Sequence, residues 1–371
     1  MTPRSTQHTL NNEGAAGAAT SAVYVVVPGD LAARTGGYGY DRRIIAGLRD
    51  RGWAVNVVRL DDSFPTPTAG ARVHAAQALG SMLAGSTVLI DGLALGALPD
   101  EVEREAGRLT IVALVHHPLA AETGIGPALA AAFETSERRA LAATRSVVVT
   151  SRATARALAE YGVTAERITV VEPGTDPAPL ARHSACGTRQ SALSLLCVAT
   201  LTPRKGHELL LSALAAIPQR HWTLTCAGSL ERDPATVARV RARTREADLA
   251  DHVSFSGDLD AAALDEAYDR ADVFVLPTFH EGYGMAVAEA LARGIPVVST
   301  ATGAIEELVG DAGIVVAPGD LAAFTAALSL VLGDADLRAR LAANARAVRD
   351  RLPTWDAAAE AMAGALERAR Y

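Results

Sequence analysis

Short runs of Val, Ile and Leu alternate with longer Ala- and Leu-rich stretches along almost the whole chain, and this alternation constrains the fold most. Six runs fall in the first half, at 23–27, 55–58, 88–90, 110–115, 146–150 and 168–171. Six more follow in the second half, at 193–199, 222–227, 252–256, 272–276, 297–299 and 314–316. Apolar runs bounded by turns, with helical stretches between them, predict βαβ units and parallel sheets buried on both faces.

The two sets of runs predict two domains in tandem. Residues 178–191 separate them with Pro, Ser, Gly and charge but no periodicity, which indicates a linker. We expect two Rossmann-like, doubly wound α/β domains, at 21–177 and 192–352, that face a cleft. Residues 353–371 read as one more amphipathic helix, for which packing back on the first domain is one option. Residues 1–20 are polar and small and are expected to form a disordered tail.

Composition favours a folded cytoplasmic protein. Hydrophobic residues make up 49% of the 371 residues and aromatic residues only 4%, which suits many helices and buried parallel strands. No apolar run approaches the roughly 20 residues that a membrane-spanning helix needs, and the first twenty residues lack the apolar segment of a signal peptide. The three cysteines, Cys186, Cys197 and Cys226, are an odd number without metal-ligand spacing, as expected for structural thiols in a reducing compartment.

The charge distribution argues against nucleic acid as a partner. The formal net charge is −7, its acidic excess lies in the second half, and neither half has an obvious basic face. A local basic patch in the neutral first half keeps peripheral contact with the inner face of a membrane open as an alternative. Lys205 is the only lysine in the chain. A flexible ammonium group is not interchangeable with the planar guanidinium that serves everywhere else, so this position is a candidate functional site.

The most informative motif is HEGYGMAVAEALARGIP, at 280–296, which follows a predicted strand and opens a helix. Gly282 and Gly284 allow the backbone to approach a ligand at the helix start, where free N–H groups suit a diphosphate. Glu281 lies just before the helix, where its carboxylate can accept hydrogen bonds from sugar hydroxyls. Glu289 lies more than a turn inside, where it can reach a vicinal diol such as that of ribose.

A second motif, VATLTPRKG at 198–206, follows the first strand of the second domain and leads into a helix. It contains the lone Lys205 and, next to it, Arg204. Two adjacent cations at a helix start, followed by Gly206, predict an anion site.

The 280–296 motif resembles the retaining family 4 glycosyltransferases of the GT-B fold. The resemblance rests on two glutamates with seven residues between them, on Gly-aromatic-Gly after the first and on Ala-x-Ala-x-Gly-x-Pro-Val-Val after the second, and it continues to residues 318–320. It covers the second half well and the first half more loosely. It implies a donor site at Gly282, Tyr283, Gly284, Met285 and Glu289, and catalytic roles for Glu281 and Lys205. The family usually carries an arginine at the position of Thr200, so Arg204 is expected to replace it.

The resemblance extends to two motifs of the first half. Gly36 and Gly37 resemble the family's glycine loop beside the donor phosphate and the acceptor, and they precede a helix predicted over 41–51. Arg42 occupies the last glycine position of a dinucleotide fingerprint, which excludes that motif. His116, at the end of a predicted strand, matches the family histidine that contacts the transferred sugar, and His117 follows it where the family often has Asp.

Two further features have simpler explanations. Residues 173–176 resemble the family's turn at the domain boundary and suggest a hinge. Asp258-Leu259-Asp260 looks like a metal-binding Asp-x-Asp, but it precedes a helix, so Asp260 is expected to be an N-cap. We therefore expect no catalytic metal and no cofactor.

The sequence thus predicts a retaining glycosyltransferase that moves a hexose-type sugar from a nucleotide-diphosphate sugar to an unidentified acceptor. The acceptor classes left open are a sugar, a lipid-linked sugar and a small molecule. A glycoside hydrolase also uses two carboxylates but needs no cationic phosphate site. A nucleotide-sugar epimerase or related GT-B enzyme, and a non-catalytic sugar-nucleotide-binding protein, remain as alternatives.

Overall fold

Two parallel six-stranded sheets, each flanked by helices, form the protein. A computed structural model describes residues 21–182 and 192–371. The predicted tail, most of the predicted linker and Cys186 lie outside the described residues. Within the described part of the chain, no helix is both long enough and apolar enough to cross a membrane.

The first sheet has the strand order β2-β1-β3-β4-β5-β6, so the direction of winding reverses between β1 and β3. Its strands are β1 Ala22–Pro28, β2 Ala54–Leu60, β3 Thr87–Asp91, β4 Thr110–Val115, β5 Ser146–Val149 and β6 Ile168–Val170. The helices between them are α1 Gly36–Asp50, α2 Ala69–Gly80, α3 Gly92–Leu95, α4 Pro99–Glu105, α5 Pro127–Ala143 and α6 Arg152–Glu160. Ligands of such sheets bind where the winding reverses, beyond the carboxyl ends of the strands.

The second sheet has the order β12-β11-β10-β7-β8-β9, and its winding reverses between β7 and β10. Its strands are β7 Leu193–Val198, β8 Trp222–Ala227, β9 Val253–Gly257, β10 Val273–Leu276, β11 Val297–Thr300 and β12 Gly313–Val316. Its helices are α7 His207–Ala216, α8 Pro234–Glu246, α9 Ala261–Asp269, α10 Met285–Ala292, α11 Ile305–Val309, α12 Leu321–Gly333 and α13 Ala335–Arg349.

The structure confirms the predicted fold class, and each of the twelve predicted runs is a strand whose ends move by at most two residues. The first helix was predicted too short. α1 begins at Gly36 because the Thr35 side chain accepts a hydrogen bond from the Tyr38 N–H and caps the helix there. The two glycines therefore form the first turn of α1 and not a loop before it. Cys197 and Cys226 are buried free thiols, as expected.

The last helix, α14 (Trp355–Ala369), packs on the first domain. Met362 and Leu366 are fully buried in one apolar cluster with Ile44 and Leu48 of α1 and with the inner face of the first sheet. A Cβ atom on Gly47 of α1 would lie 2.4 Å from the Ala359 Cβ, so the two helices approach closely only because residue 47 is glycine. The chain therefore crosses between the domains twice.

Met362→Ala should destabilise the first domain by about 2–4 kcal/mol, because it removes a fully buried side chain from this cluster. Glu360→Ala on the exposed face of the same helix should change the free energy of unfolding by less than about 0.5 kcal/mol. Urea unfolding of both variants followed by circular dichroism checks this, and equal midpoints would show that α14 contributes little to the domain.

Candidate active site

The two motifs of the second domain meet at its switch point. The 198–206 loop follows β7 and the 277–284 loop follows β10, and these are the strands between which the winding reverses. The Phe279 N–H donates to the Arg204 carbonyl oxygen at 2.8 Å, and the Thr278 hydroxyl donates to the same oxygen at 3.0 Å. The sequence motifs, 76 positions apart, therefore form one continuous surface.

Glycine permits this close approach. Gly206 has φ +71°, and a Cβ atom there would lie 2.0 Å from the Pro277 carbonyl oxygen, so any other residue would separate the loops. Gly206 and Gly284 are the N-caps of α7 and α10, and neither helix has a side-chain cap. Their first N–H groups remain available to an anion. We call the starts of α7 and α10, with Arg204 and Lys205, the anion site.

Lys205 and Glu281 form an ion pair within the anion site, with side chains only 14% and 16% exposed. Burial alone would raise the pKa of Glu281, but the charges of Lys205 and Arg204 outweigh it and lower that pKa. Glu281 is therefore charged at neutral pH. The structure thus brings together the lone lysine and the first glutamate of the 280–296 motif.

Arg204 is held from both domains. Its Nη1 donates to the His280 carbonyl oxygen at 3.0 Å, and its Nε lies 3.2 Å from Oε1 of Glu122 in the first domain. Burial would raise the pKa of Glu122, yet its contacts with His117 and Arg204 lower it to about 2. The sequence alone did not predict Glu122, because nothing in its local sequence indicates a partner on another domain.

His116 lies at the end of β4 on the opposite wall. Its Nε2 is 3.4 Å from Asp41 Oδ1 and 3.6 Å from Asp91 Oδ2, and both carboxylates are buried. Burial alone would lower the pKa of His116, but these carboxylates raise it to about 10. Gly37 lies beside the ring, since a Cβ there would be 3.6 Å from the His116 Cδ2. The sequence alone did not predict either aspartate, although Asp91 ends a buried strand next to β4.

The same three side chains have the spacing of a metal site. Asp41, Asp91 and His116 each place a ligand atom within 4.8 Å of the others. As a ligand through Nε2, His116 would have to be a neutral imidazole, whereas a protonated His116 offsets the charge of one of the two carboxylates. A proton and a metal ion therefore exclude each other at this cluster.

The two domains touch across the cleft. A Cβ on Gly282 would lie 2.4 Å from the His116 carbonyl oxygen, and one on Gly39 would lie 3.8 Å from the Met285 Cε. Arg34 Nη1 also donates to the Leu259 carbonyl oxygen at 2.5 Å. The structure therefore represents a closed arrangement in which His116 and the anion site lie on facing walls.

Other predicted residues have different surroundings. Glu289 accepts a hydrogen bond from the Tyr268 hydroxyl at 2.8 Å, and burial raises the pKa of Glu289. The Tyr283 ring is buried in an apolar cluster with Ala288 and Ala304, so only its backbone can face the cleft. Nothing lies within 4 Å of a Cβ placed on Gly36. The ribose role of Glu289 and the donor role of Tyr283 stay predictions.

Asp260, His117 and residues 173–176 are the other positions for which the sequence suggests a role. The Asp260 carboxylate accepts from the Ala263 N–H at 2.9 Å, which confirms it as the N-cap of α9. His117 lies 3.6 Å from Glu122 and its ring contacts that of His280, with centroids 5.2 Å apart. The Thr175 N–H donates to the Pro353 carbonyl oxygen at 2.8 Å, so the two chain crossings lie side by side. The hinge role of 173–176 stays a prediction.

Two family models match the chain. Residues 187–348 match the model described as glycosyl transferases group 1, and residues 42–179 match glycosyltransferase family 4. D-inositol 3-phosphate glycosyltransferase of Xylanimonas cellulosilytica is 32% identical over 61% of this chain and 57% of its own length. The chain spans about half the length of the curated relatives it matches.

Solved structures share the fold over almost the whole chain. Sucrose-phosphate synthase of Thermosynechococcus elongatus superposes with a TM-score of 0.78 at 22% identity, covering 94% of this chain and 98% of that one. HepE of Anabaena, solved with UDP and glucose, gives a TM-score of 0.74 at 18% identity over 94% and 100%. These neighbours have the GT-B fold, so the predicted GT-B architecture is confirmed.

Asp91→Asn should lower the pKa of His116 from about 10 towards neutrality, because it removes one of two carboxylates that stabilise the imidazolium. In the wild type, the stability that this charge contributes is complete below pH 6.5 and lost as the pH rises towards 10. NMR titration of the imidazole nitrogens measures the shift. Asp100→Asn, at an exposed ion pair with Arg139, is the control; an unshifted His116 in the Asp91 variant would exclude the role of Asp91.

Proposed function

Because the chain belongs to the family 4, group 1 glycosyltransferases, which have the GT-B fold, we propose that it transfers a hexose-type sugar from a nucleotide-diphosphate sugar to an acceptor with retention of anomeric configuration. The observation that carries this proposal is the anion site. Lys205, Arg204 and two uncapped helix starts converge at the switch point of the second sheet.

The anion site suits the leaving group. As the bond between sugar and phosphate breaks, negative charge develops on the diphosphate, and fixed N–H dipoles and cations stabilise it. The Lys205 ammonium group has three donors, so it can bind a phosphate oxygen and still retain Glu281. The starts of α7 and α10 direct their N–H groups at the same anion.

The state of Glu281 supports retention without a carboxylate nucleophile. Its carboxylate is neutralised by Lys205 and its pKa is lowered, which weakens it as a base and as a nucleophile. In this proposal Glu281 orients the donor sugar through its hydroxyls, and the acceptor attacks from the face that the diphosphate leaves. His116 faces the transferred sugar from the other domain. Closure of the domains excludes water and so limits hydrolysis of the donor.

The comparisons support a sugar nucleotide but leave the acceptor undetermined. HepE was solved with UDP and glucose, which favours a nucleotide-sugar donor. The relatives are named for different acceptors and products, an inositol phosphate in one and sucrose phosphate in another. We propose an acceptor among sugars, lipid-linked sugars and small molecules, and a cytoplasmic enzyme with peripheral membrane contact as the alternative location.

A nucleotide sugar that binds should raise the melting temperature by mass action, with about 2.7 kcal/mol of stabilisation at a hundred times its Kd. A thermal-shift screen of UDP-, GDP- and ADP-sugars tests this. Lys205→Ala should abolish the shift because it removes a cation of the anion site. Arg243→Ala, at an exposed cation of the same domain, should leave the shift intact. If every nucleotide sugar leaves the wild type unmoved, the donor assignment is wrong.

We also propose that the reaction needs no metal ion, since Lys205, Arg204 and the helix starts supply the positive charge that a metal would otherwise supply. Donor consumption followed by NMR should continue in the presence of EDTA. Strict dependence on added Mn²⁺ or Mg²⁺ would contradict this, and loss of the metal-supported activity in Asp41→Asn would then assign the metal to the Asp41, Asp91 and His116 cluster.

A further inference from the structure

Glu122 is the one residue of the first domain that the structure shows in an ion pair with a cation of the anion site, among the residues described. Its Oε1 accepts from the Thr123 N–H at 3.1 Å and lies 3.2 Å from Arg204 Nε. Its Oε2 lies 3.6 Å from His117 Nε2. Two contacts from its own domain thus fix the carboxylate, and the third reaches across the cleft.

The contacts of Arg204 leave one nitrogen uncommitted. Nε faces Glu122 and Nη1 donates to the His280 carbonyl oxygen, so partners from both domains fix the plane of the guanidinium. Nη2 has no hydrogen-bond partner in the described part of the chain. Because the guanidinium is planar and rigid, holding two of its nitrogens determines where the third one points. The charge of Arg204 helps to lower the pKa of Glu281, so the guanidinium lies close to the ion pair of the anion site.

We propose that Glu122 is a positioning residue that orients Arg204 towards the diphosphate of the donor, so that the first domain completes the anion site of the second. This inference rests on the proposed function. It has a structural consequence: Glu122 meets Arg204 only when the domains are closed, so the full affinity for diphosphate is available only in the closed arrangement.

A competing role for Glu122, in which its carboxylate blocks the phosphate, predicts a different result from the same variants. If the Glu122 carboxylate merely occupies the place of a phosphate, removing its charge should tighten nucleotide binding, and Gln and Ala should act alike. If it positions Arg204 through the 3.2 Å contact with Nε, the amide oxygen of Gln can still occupy that place and should retain most of the affinity, whereas Ala cannot. The order of the two variants therefore separates orientation from competition.

The experiment is calorimetric titration of the full chain with UDP, GDP and ADP, followed by variants with the tightest of the three. Glu122→Ala should raise the Kd by about tenfold, and Glu122→Gln by less than about threefold. The matching nucleoside, which lacks the phosphates, should bind the wild type, Glu122→Ala and Glu122→Gln with the same Kd. In an Arg204→Met background, Glu122→Ala should have no further effect, since its role is exerted through Arg204. Glu134→Ala, which removes an exposed carboxylate paired within α5, is the matched control.

The outcomes separate failure of the proposed donor site from failure of the role of Glu122. Failure of UDP, GDP and ADP to bind the wild type would overturn the proposed donor site and this inference with it. Binding by the wild type that is unchanged or tighter in Glu122→Ala, with an unchanged melting temperature, would overturn the role of Glu122 alone. An effect of Glu122→Ala that persists in the Arg204→Met background would also overturn it.

Discussion

The ion pair between Lys205 and Glu281 is the interaction on which the site depends. It joins the loops that follow the two central strands of the second sheet, where a doubly wound fold leaves a crevice. A lysine and a glutamate removed from water need each other, because an unpaired charge in this place would be costly. The charges of Lys205 and Arg204 lower the pKa of Glu281 despite its burial, so its carboxylate stays charged at neutral pH.

Small residues allow the rest of the site to assemble around this pair. Gly206 brings the two loops together, and Gly282 lets the second domain touch the His116 carbonyl oxygen of the first. The facing walls carry complementary chemistry. The second domain offers cations and helix starts, whereas the first offers His116, held by two buried aspartates, and Glu122. The cleft is therefore an electrostatic interface between the two domains.

The fold and the family of this chain are shown, whereas its donor and its acceptor are proposed. The positions of the strands follow from the hydrophobic runs, and the fold they build is shared with GT-B structures at low sequence identity. Substrate recognition depends on individual side chains, and proteins of one fold differ in them. The buried ring of Tyr283 and the bond from Tyr268 to Glu289 show that membership of a motif does not decide which atoms face the cleft.

The sequence by itself determined the twelve strands and the two-domain α/β architecture, and it singled out Lys205 and Glu281, which the structure shows as an ion pair. Hydrophobic period, glycine position and a unique lysine are local signals. It could not give Asp41, Asp91 or Glu122. Their roles arise from contacts between residues that are separated in the chain. Asp41 and Asp91 contact His116, and Glu122 contacts Arg204. Only the tertiary structure decides such contacts, because the distance between two side chains depends on how whole sheets and domains pack.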